Sequence, residues 1–229
     1  MTISVVIPAL NEAAGLRATL ACVAGVPEVT EVIISDGGSC DDTVSLARAV
    51  GARVVSGPRG RGGQLRRGAD LAKGDVVLLL HADTWLPPNA GVAIQRVFEG
   101  AVDGASVVGG AFLKEFRDPP WLTRGSRLRC RWRMALFQFA YGDQGIFVLR
   151  EALIRAGGVP DLPLMEEHYL CAALRRLGRL KLADATVSTS ARRFRQRGFV
   201  RTYLRMAGVT ARHWMGATPE QLRALYESD

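Results

Sequence analysis

The sequence predicts one α/β domain with a mostly parallel central sheet and helices on both faces. Residues 3 to 113 repeat a theme of short β-branched run, polar turn and helical pattern, which is the rhythm of βαβ units. The apolar runs are continuous rather than alternating, as in "VVLLL" at residues 76 to 80, which suits strands covered on both faces. A chain of 229 residues that is 48% hydrophobic is long and apolar enough to bury one proper core.

The elements follow in order. "ISVVIPA" reads as the first strand, and "NEAAGLRATLACVAG" as a helix with Leu16, Leu20 and Val23 on one face and Gly25 at its end. "TEVIISDGG" is the second strand, and "SCDDTVSLARAVGA" a helix with a capping-like Ser/Asp start. "RVVSGP" is the third strand, and "GRGGQLRRGADLAKGD" turns through glycines into a short helix. The apolar run at 76 to 80 then stops at His81, Ala82 and Asp83, and "VVGGAFLKEF" is a further strand. Residues 117 to 141 break the rhythm: arginines at 124, 127, 129, 131 and 133 mix with Trp121, Trp132, Phe137 and Phe139 in a basic amphipathic segment. That segment suits a lid over a site or a surface for an amphipathic partner. "GDQGIFVLREALIRAGG" returns to strand and helix, "MEEHYLCAALRRLGR" is a helix, and "LKLADATVSTS" a last strand. From Arg192 to Arg212 there are seven arginines and no acids.

Composition narrows the function classes. Cys22, Cys40, Cys130 and Cys171 lie far apart with no paired histidine spacing, which argues against a zinc site or a disulfide framework. No apolar run approaches the ~18–20 residues of a membrane-spanning helix, and "MTISVVIPALNE" lacks the basic region and cleavage site of a leader. A cytoplasmic location is therefore expected, with peripheral contact at the inner face of the membrane, through Trp121 to Phe139, as a hypothesis. The net charge of +8 rests on arginine, Lys73, Lys114 and Lys181 being the only lysines. Arginine forks onto phosphate, so phosphorylated ligands, acidic lipid and nucleic acid are all admitted as partners. A GC-rich genome would raise arginine content as well.

In an open parallel sheet the ligand sits beyond the carboxyl ends of the strands. Those ends carry Pro8 to Glu12, Ser35 to Asp42 and His81 to Thr84. The first strand runs into "PALNE" rather than a glycine-rich phosphate loop, which weakens dinucleotide, P-loop and nucleotidyltransferase readings. Carboxylates take the glycines' place: Glu12, Asp36, Asp83 and the pair Glu166 and Glu167.

"VVIPALNE", "EVIISDGGSCDDT", "GRGGQLRRGA", "GDVVLLLHADTWLPP", "GDQGIFVLRE" and "MEEHYL", in this order and spacing, resemble the family-2 glycosyltransferases of the GT-A fold, the nucleotide-diphospho-sugar transferase fold. The likeness spans residues 3 to about 190 and is most similar to a compact bacterial subgroup with "LHADT" in place of the usual Asp-x-Asp, sometimes associated with arsenosugar biosynthesis. It implies one domain over residues 1–229, with a nucleotide-binding half at 1–113, an acceptor and catalytic half at 114–190, and a basic helical segment at 191–229.

The resemblance implies roles residue by residue. Pro8, Ala9, Asn11 and Glu12 would line the nucleotide pocket, Asp36 would read the base edge, and Gly37 would let the backbone approach. Asp83 matches the second aspartate of Asp-x-Asp and would hold Mn²⁺ or Mg²⁺ on the donor diphosphate, a UDP- or GDP-sugar in the first instance. His81 would hydrogen-bond the ribose or join the metal shell, or simply satisfy a strand-end carbonyl. The family's base falls on Glu167, preceded by Glu166; the pair departs from the usual Glu-Asp, so Glu167 is put first and Glu166 second, and both would also suit a helix N-terminus. Asp143 and Gln144 correspond to an acceptor or donor-sugar loop, or to a turn capped by an aspartate. Arg66 and Arg67 depart from the family, in which an asparagine is common at the first of the two places, and would contact phosphate; Arg192 and Arg193 follow the last strand as a pyrophosphate pair would, or form a solvated basic face. The implied activity is inverting, metal-dependent transfer of a sugar, a hexose above all, to an unknown hydroxyl acceptor. The rival of a different class is a basic module that binds nucleic acid or anionic membrane; it leaves the strand-end carboxylates unexplained.

Overall fold

The computed structural model describes the chain at residues 1–99, 106–117 and 125–227, without the side chains of residues 193, 196, 197, 199, 203, 214, 226 and 227. The first half alternates β1 (Ile3–Ala9), α1 (Ala13–Ala24), β2 (Val29–Asp36), α2 (Thr43–Ala49), β3 (Arg53–Ser56), α3 (Arg61–Ala69), β4 (Val76–Leu79), the short β5 (Thr84–Trp85) and α4 (Ala90–Glu99). The second half contains β6 (Val107–Phe116), α5 (Ser126–Phe137), a 3-10 turn at Gly142–Gln144, β7 (Ile146–Leu149), α6 (Arg150–Arg155), α7 (Glu166–Arg175) and β8 (Arg179–Thr189). Helices α8 (Arg192–Arg197), α9 (Phe199–Trp214) and α10 (Pro219–Glu227) follow.

Among the described residues the strands form one eight-stranded sheet in the order β3-β2-β1-β4-β7-β6-β8-β5. β3, β2, β1 and β4 run parallel, as do β6 and β8, while β7 runs antiparallel to both its neighbours and β5 antiparallel to β8. This is the mostly parallel sheet expected. Alternation along each buried strand splits the core into two layers. Val5 and Ile7 join Leu16, Leu20, Leu78 and Ile94 under α1 and α4, whereas Val6 joins Leu65, Val77, Leu79 and Leu153 under α3 and α6. Both faces are covered, which is why the strands read as unbroken apolar runs.

Local chemistry sets several boundaries. Helix α1 starts at Ala13 rather than at the expected Asn11, because Asn11 adopts a left-handed conformation with φ of 53°. The glycines of "GRGGQLRRGA" serve packing rather than a phosphate loop: a Cβ on Gly68 would lie 2.4 Å from Val6 Cγ1, and one on Gly62 would lie 2.5 Å from the Leu162 carbonyl oxygen. The apolar face of α3 therefore sits directly on β1. Two-residue β5 left no periodicity to read, and its pairing with β8 at the sheet edge comes from tertiary contact.

Candidate active site

The carboxyl ends of β1 and β4 open into a cleft of about 590 Å³. Pro8, Ala9, Leu10, Glu12, Arg61, Gln64, His81, Ala82 and Asp83 line it from the first half, and Tyr141 to Asp143, Leu164, Met165, Glu167 and Arg192 from the second. Helix α9 closes it with Thr202, Met206, Val209 and Thr210.

Asp83 ends the run that began at Val76. Among the described residues no hydrogen bond or ion pair reaches its carboxylate, and burial followed by the neighbouring Glu12 charge raises its pKa, against the longer-range charges of Arg192 and Arg117. Arg117 approaches the main chain instead: it donates to the Asp83 carbonyl at 2.7 Å and stacks 3.8 Å over the Trp85 ring. Glu12 accepts from Arg192 at 2.9 and 3.1 Å in a half-exposed pair. The arrangement is short of positive charge, as a cation site would be. Among the described residues no group of three or more His, Cys, Asp or Glu could hold a metal by itself. A cation here would need oxygens from a bound molecule, as Mg²⁺ commonly does with phosphates.

Glu166 and Glu167 open α7 and are both buried. One guanidinium serves them: Arg61 Nε donates to Glu166 Oε1, and Nη2 to Glu167 Oε2 at 3.1 Å. Burial and the adjacent Glu167 charge hold the Glu166 pKa up in spite of Arg61. Only Glu167 of the two lines the cleft. The residue that aims them, Met165, is buried with φ of 65°. A bulky side chain at positive φ is strained, and such strain gathers at functional sites.

The 142–144 turn faces the end of β4. A Cβ on Gly142 would come within 2.7 Å of His81 Nε2, so glycine is needed for the imidazole to lie against the turn. Asp143 pairs with Lys114 at 2.6 Å, and although burial pushes its carboxyl up, Lys114 with His81 and Arg133 holds it below its ordinary value. Among the described residues its Oδ1 is buried without a hydrogen-bond partner.

Of the residues expected at the site, Pro8, Ala9, Glu12, His81, Asp83, Asp143, Glu167 and Arg192 border the cleft. Others do not. Asn11 turns away to accept from the Cys40 N–H at 2.9 Å, tying two loops together. The buried Asp36 accepts the Gly38 N–H at 2.9 Å and the Ser39 N–H at 3.2 Å, and the Gly37 N–H donates to Ala9. Gln144 lies in the core, its amide donating to the Phe112 carbonyl at 2.9 Å and accepting from Arg133. Arg66 is exposed, and Arg67 donates to the Pro58 carbonyl. The Arg193 side chain lies outside the described residues. Helical phase explains the arginines: at ~100° per residue, Gln64 and Leu65 return to the face of Arg61 and Arg66 does not. Arg61 and Gln64 line the cleft instead, and their i, i+3 spacing is the sequence signal that puts them on one face. Gln64 donates to the Ala9 and Ser35 carbonyls, both at 2.8 Å, and so clamps β1 to β2.

The profile of glycosyl transferase family 2 matches residues 4–155. The chain belongs to that family. Glucosyl-3-phosphoglycerate synthase of Mycobacterium tuberculosis is 39% identical over 93 residues, covering 36% of this chain and 29% of the synthase. Undecaprenyl-phosphate 4-deoxy-4-formamido-L-arabinose transferase of Aeromonas hydrophila is 34% identical over 136 residues, covering 53% of this chain and 40% of the transferase. The chain therefore spans less than half the length of these curated relatives. The crystal structure of the M. tuberculosis synthase with Mn²⁺ and UDP-glucose superposes with a TM-score of 0.55 at 26% identity, over 82% of this chain and 69% of that one. A Pyrobaculum calidifontis mannosyltransferase in complex with GDP-Man and Mn²⁺ shares the fold with a TM-score of 0.68 at 20% identity, over 98% of this chain and 67% of that one. The fold is GT-A.

Proposed function

We propose that this family-2 chain is an inverting, metal-dependent glycosyltransferase that moves a sugar from a nucleoside-diphosphate sugar to a hydroxyl acceptor. The observation that carries the reading is the cleft shared by Asp83, a carboxylate lacking a cation, and Glu167, a carboxylate already held by one. Donors with UDP or GDP come first, since the similar synthase and mannosyltransferase structures hold UDP-glucose and GDP-Man with Mn²⁺. Pro8 and Ala9 would floor the nucleotide site. Asp83, beside His81 and Glu12, would hold Mn²⁺ or Mg²⁺, which when bound neutralises charge on the donor diphosphate.

Glu167 would take the proton from the acceptor hydroxyl as its oxygen bonds to the anomeric carbon. The bond from that carbon to the diphosphate oxygen breaks with its electron pair, and a single displacement inverts the configuration. Arg61, whose Nη2 donates to Glu167 Oε2 at 3.1 Å, orients it. Arg192 would swing between Glu12 and the leaving diphosphate. The four cysteines are free thiols, in keeping with the reducing cytoplasm in which we place the reaction.

A thermal-shift titration with UDP, GDP, CDP and dTDP, each with Mn²⁺, Mg²⁺ or chelator, tests the reading, because a ligand of the native state raises its apparent stability. Metal-dependent stabilisation by one nucleotide is expected and names the donor class. No stabilisation by any of the four would overturn the assignment.

A further inference from the structure

The outward face of α5 has no part in this chemistry. Cys130 and Met134 pack inward against the sheet. On the opposite side Leu128 (56% exposed), Trp132 (59%) and Leu136 (64%) stand four residues apart, so at 3.6 residues per turn they form one continuous stripe. Phe137 (54%) extends it at the helix end. Arg129 flanks the stripe on one side, and Arg127 and Arg131 flank it on the other, all exposed. The helix contains no acidic residue, and Glu115 on β6 is paired with Arg127 at 2.7 Å. A folded chain that spends its limited apolar surface in this way, on three large side chains in register, presents an interaction site rather than scattered exposed residues.

We propose that α5 is a docking face for an anionic lipid bilayer, lying in the plane of the interface with Leu128, Trp132 and Leu136 among the acyl-chain ends and the arginines at the headgroups. Charge selects this occupant. A second copy of the chain would oppose Arg127, Arg129 and Arg131 to their own equivalents, a like-charge contact that costs free energy. A nucleic acid would use the arginines but leave two exposed leucines in contact with phosphate and water. Only a surface that is anionic outside and apolar a few ångströms deeper satisfies both parts, and tryptophan with leucine beside arginine is the composition of interfacial helices. No helix among the described residues is long and apolar enough to cross a membrane, so this contact is made from one side. Because α5 follows β6, whose Phe116 lines the cleft, docking would hold the cleft near the lipid surface.

Co-sedimentation of the full chain with vesicles of phosphatidylcholine alone or with phosphatidylglycerol tests the proposal. The chain should pellet with the anionic vesicles, poorly with neutral ones, and less as salt rises. Leu128→Ser/Trp132→Ser/Leu136→Ser should lower partitioning by ~10-fold or more while leaving the melting temperature and nucleotide-dependent stabilisation unchanged, since exposed side chains outside the cleft are replaced. Arg129→Gln/Arg131→Gln, which keeps the stripe, should lose the preference for phosphatidylglycerol. Absence of binding to anionic vesicles at low salt would overturn the proposal. So would binding that survives the triple serine substitution, or a sedimentation-velocity result in which the stripe holds a dimer that the triple substitution dissolves.

Discussion

At the start of α7, Glu166 and Glu167 are buried side by side and share Arg61. Across the same cleft, Glu12 shares a half-exposed Arg192, and Asp83 has no partner on its carboxylate among the described residues. The first pair carries its cation permanently, inside the fold, so its geometry is set before any ligand arrives. The second has one half-exposed arginine, on Glu12, and none on Asp83, so the neutralisation of Asp83 must come from what binds. Pre-set charge suits a proton-transfer group, whose position has to be held to within a fraction of an ångström; a charge deficit suits a site for a cation and a diphosphate. The two pairs thus divide catalysis from donor binding, and each half of that division can be broken by substitution.

The largest effect is expected at Glu167. Replacing it with glutamine should lower the transfer rate by ~10²- to 10⁴-fold, the usual worth of a positioned base, and leave nucleotide binding unchanged. Glu166→Gln should cost much less in rate. If Glu166→Gln proves the more damaging in a steady-state assay, the base lies one residue earlier and the cleft-lining criterion has failed.

Removing the cations separates the pairs by stability. Arg61→Met strands two buried carboxylates; a fully buried pair broken in this way costs ~3–5 kcal/mol, and because Arg61 is 33% exposed on its side chain we expect about 1–3 kcal/mol from urea unfolding. Arg192→Met, at a pair whose side chains are 46% and 22% exposed, should cost under ~1 kcal/mol. Equal losses would show that Arg61 is no more structural than Arg192.

Asp83→Asn should move stability the other way. It removes a desolvated carboxylate beside Glu12, so in the absence of metal and nucleotide the melting temperature should rise by about 2–4 °C, the shift that ~1 kcal/mol brings in a domain of this size, while metal-dependent donor binding is lost. A fall in melting temperature would mean that the carboxylate is satisfied within the protein and is not waiting for a cation.

The two pairs also differ in how far the sequence reveals them. Asp83 ends an unbroken apolar run, and Glu166 and Glu167 open a periodic helix; both are positions where strand and helix patterns change, so one-dimensional pattern locates them. Their cations are different. Arg61 acts through the phase of α3, which a one-residue uncertainty in the helix start would rotate by ~100°, and Arg66 and Arg67, equally basic, end up on other faces. Asp36 and Gln144 sit where polar strand-end residues are expected, but hydrogen bonds to nearby backbone groups hold them, a competition invisible in composition. Helix α9 closes the cleft with Thr202, Met206 and Val209, far along the chain from the strands it covers, and only tertiary packing puts it there.

Asp143 offers the smallest and most selective test, because it resembles both pairs: like the α7 glutamates it has an internal cation, Lys114, and like Asp83 it borders the cleft. Its pKa is depressed in the folded state, the Lys114 charge and hydrogen bond together with His81 and Arg133 outweighing burial. A carboxylate of this kind adds stability above the unfolded-chain pKa of ~3.9, and that contribution is lost as the pH falls through the lower folded value. The urea midpoint should therefore fall more steeply below pH ~4 in the native chain than in Asp143→Asn. In Lys114→Met the sign should reverse: with the ammonium and its hydrogen bond gone, burial, the largest single influence on Asp143, is opposed only by His81 and Arg133, its folded pKa rises, and mild acidification through that raised pKa should recover part of the stability the substitution removes. Parallel pH profiles in all three proteins would mean that the Lys114 contact is a loose surface pairing, and Asp143 would then belong with Asp83 as a group left for the ligand to neutralise.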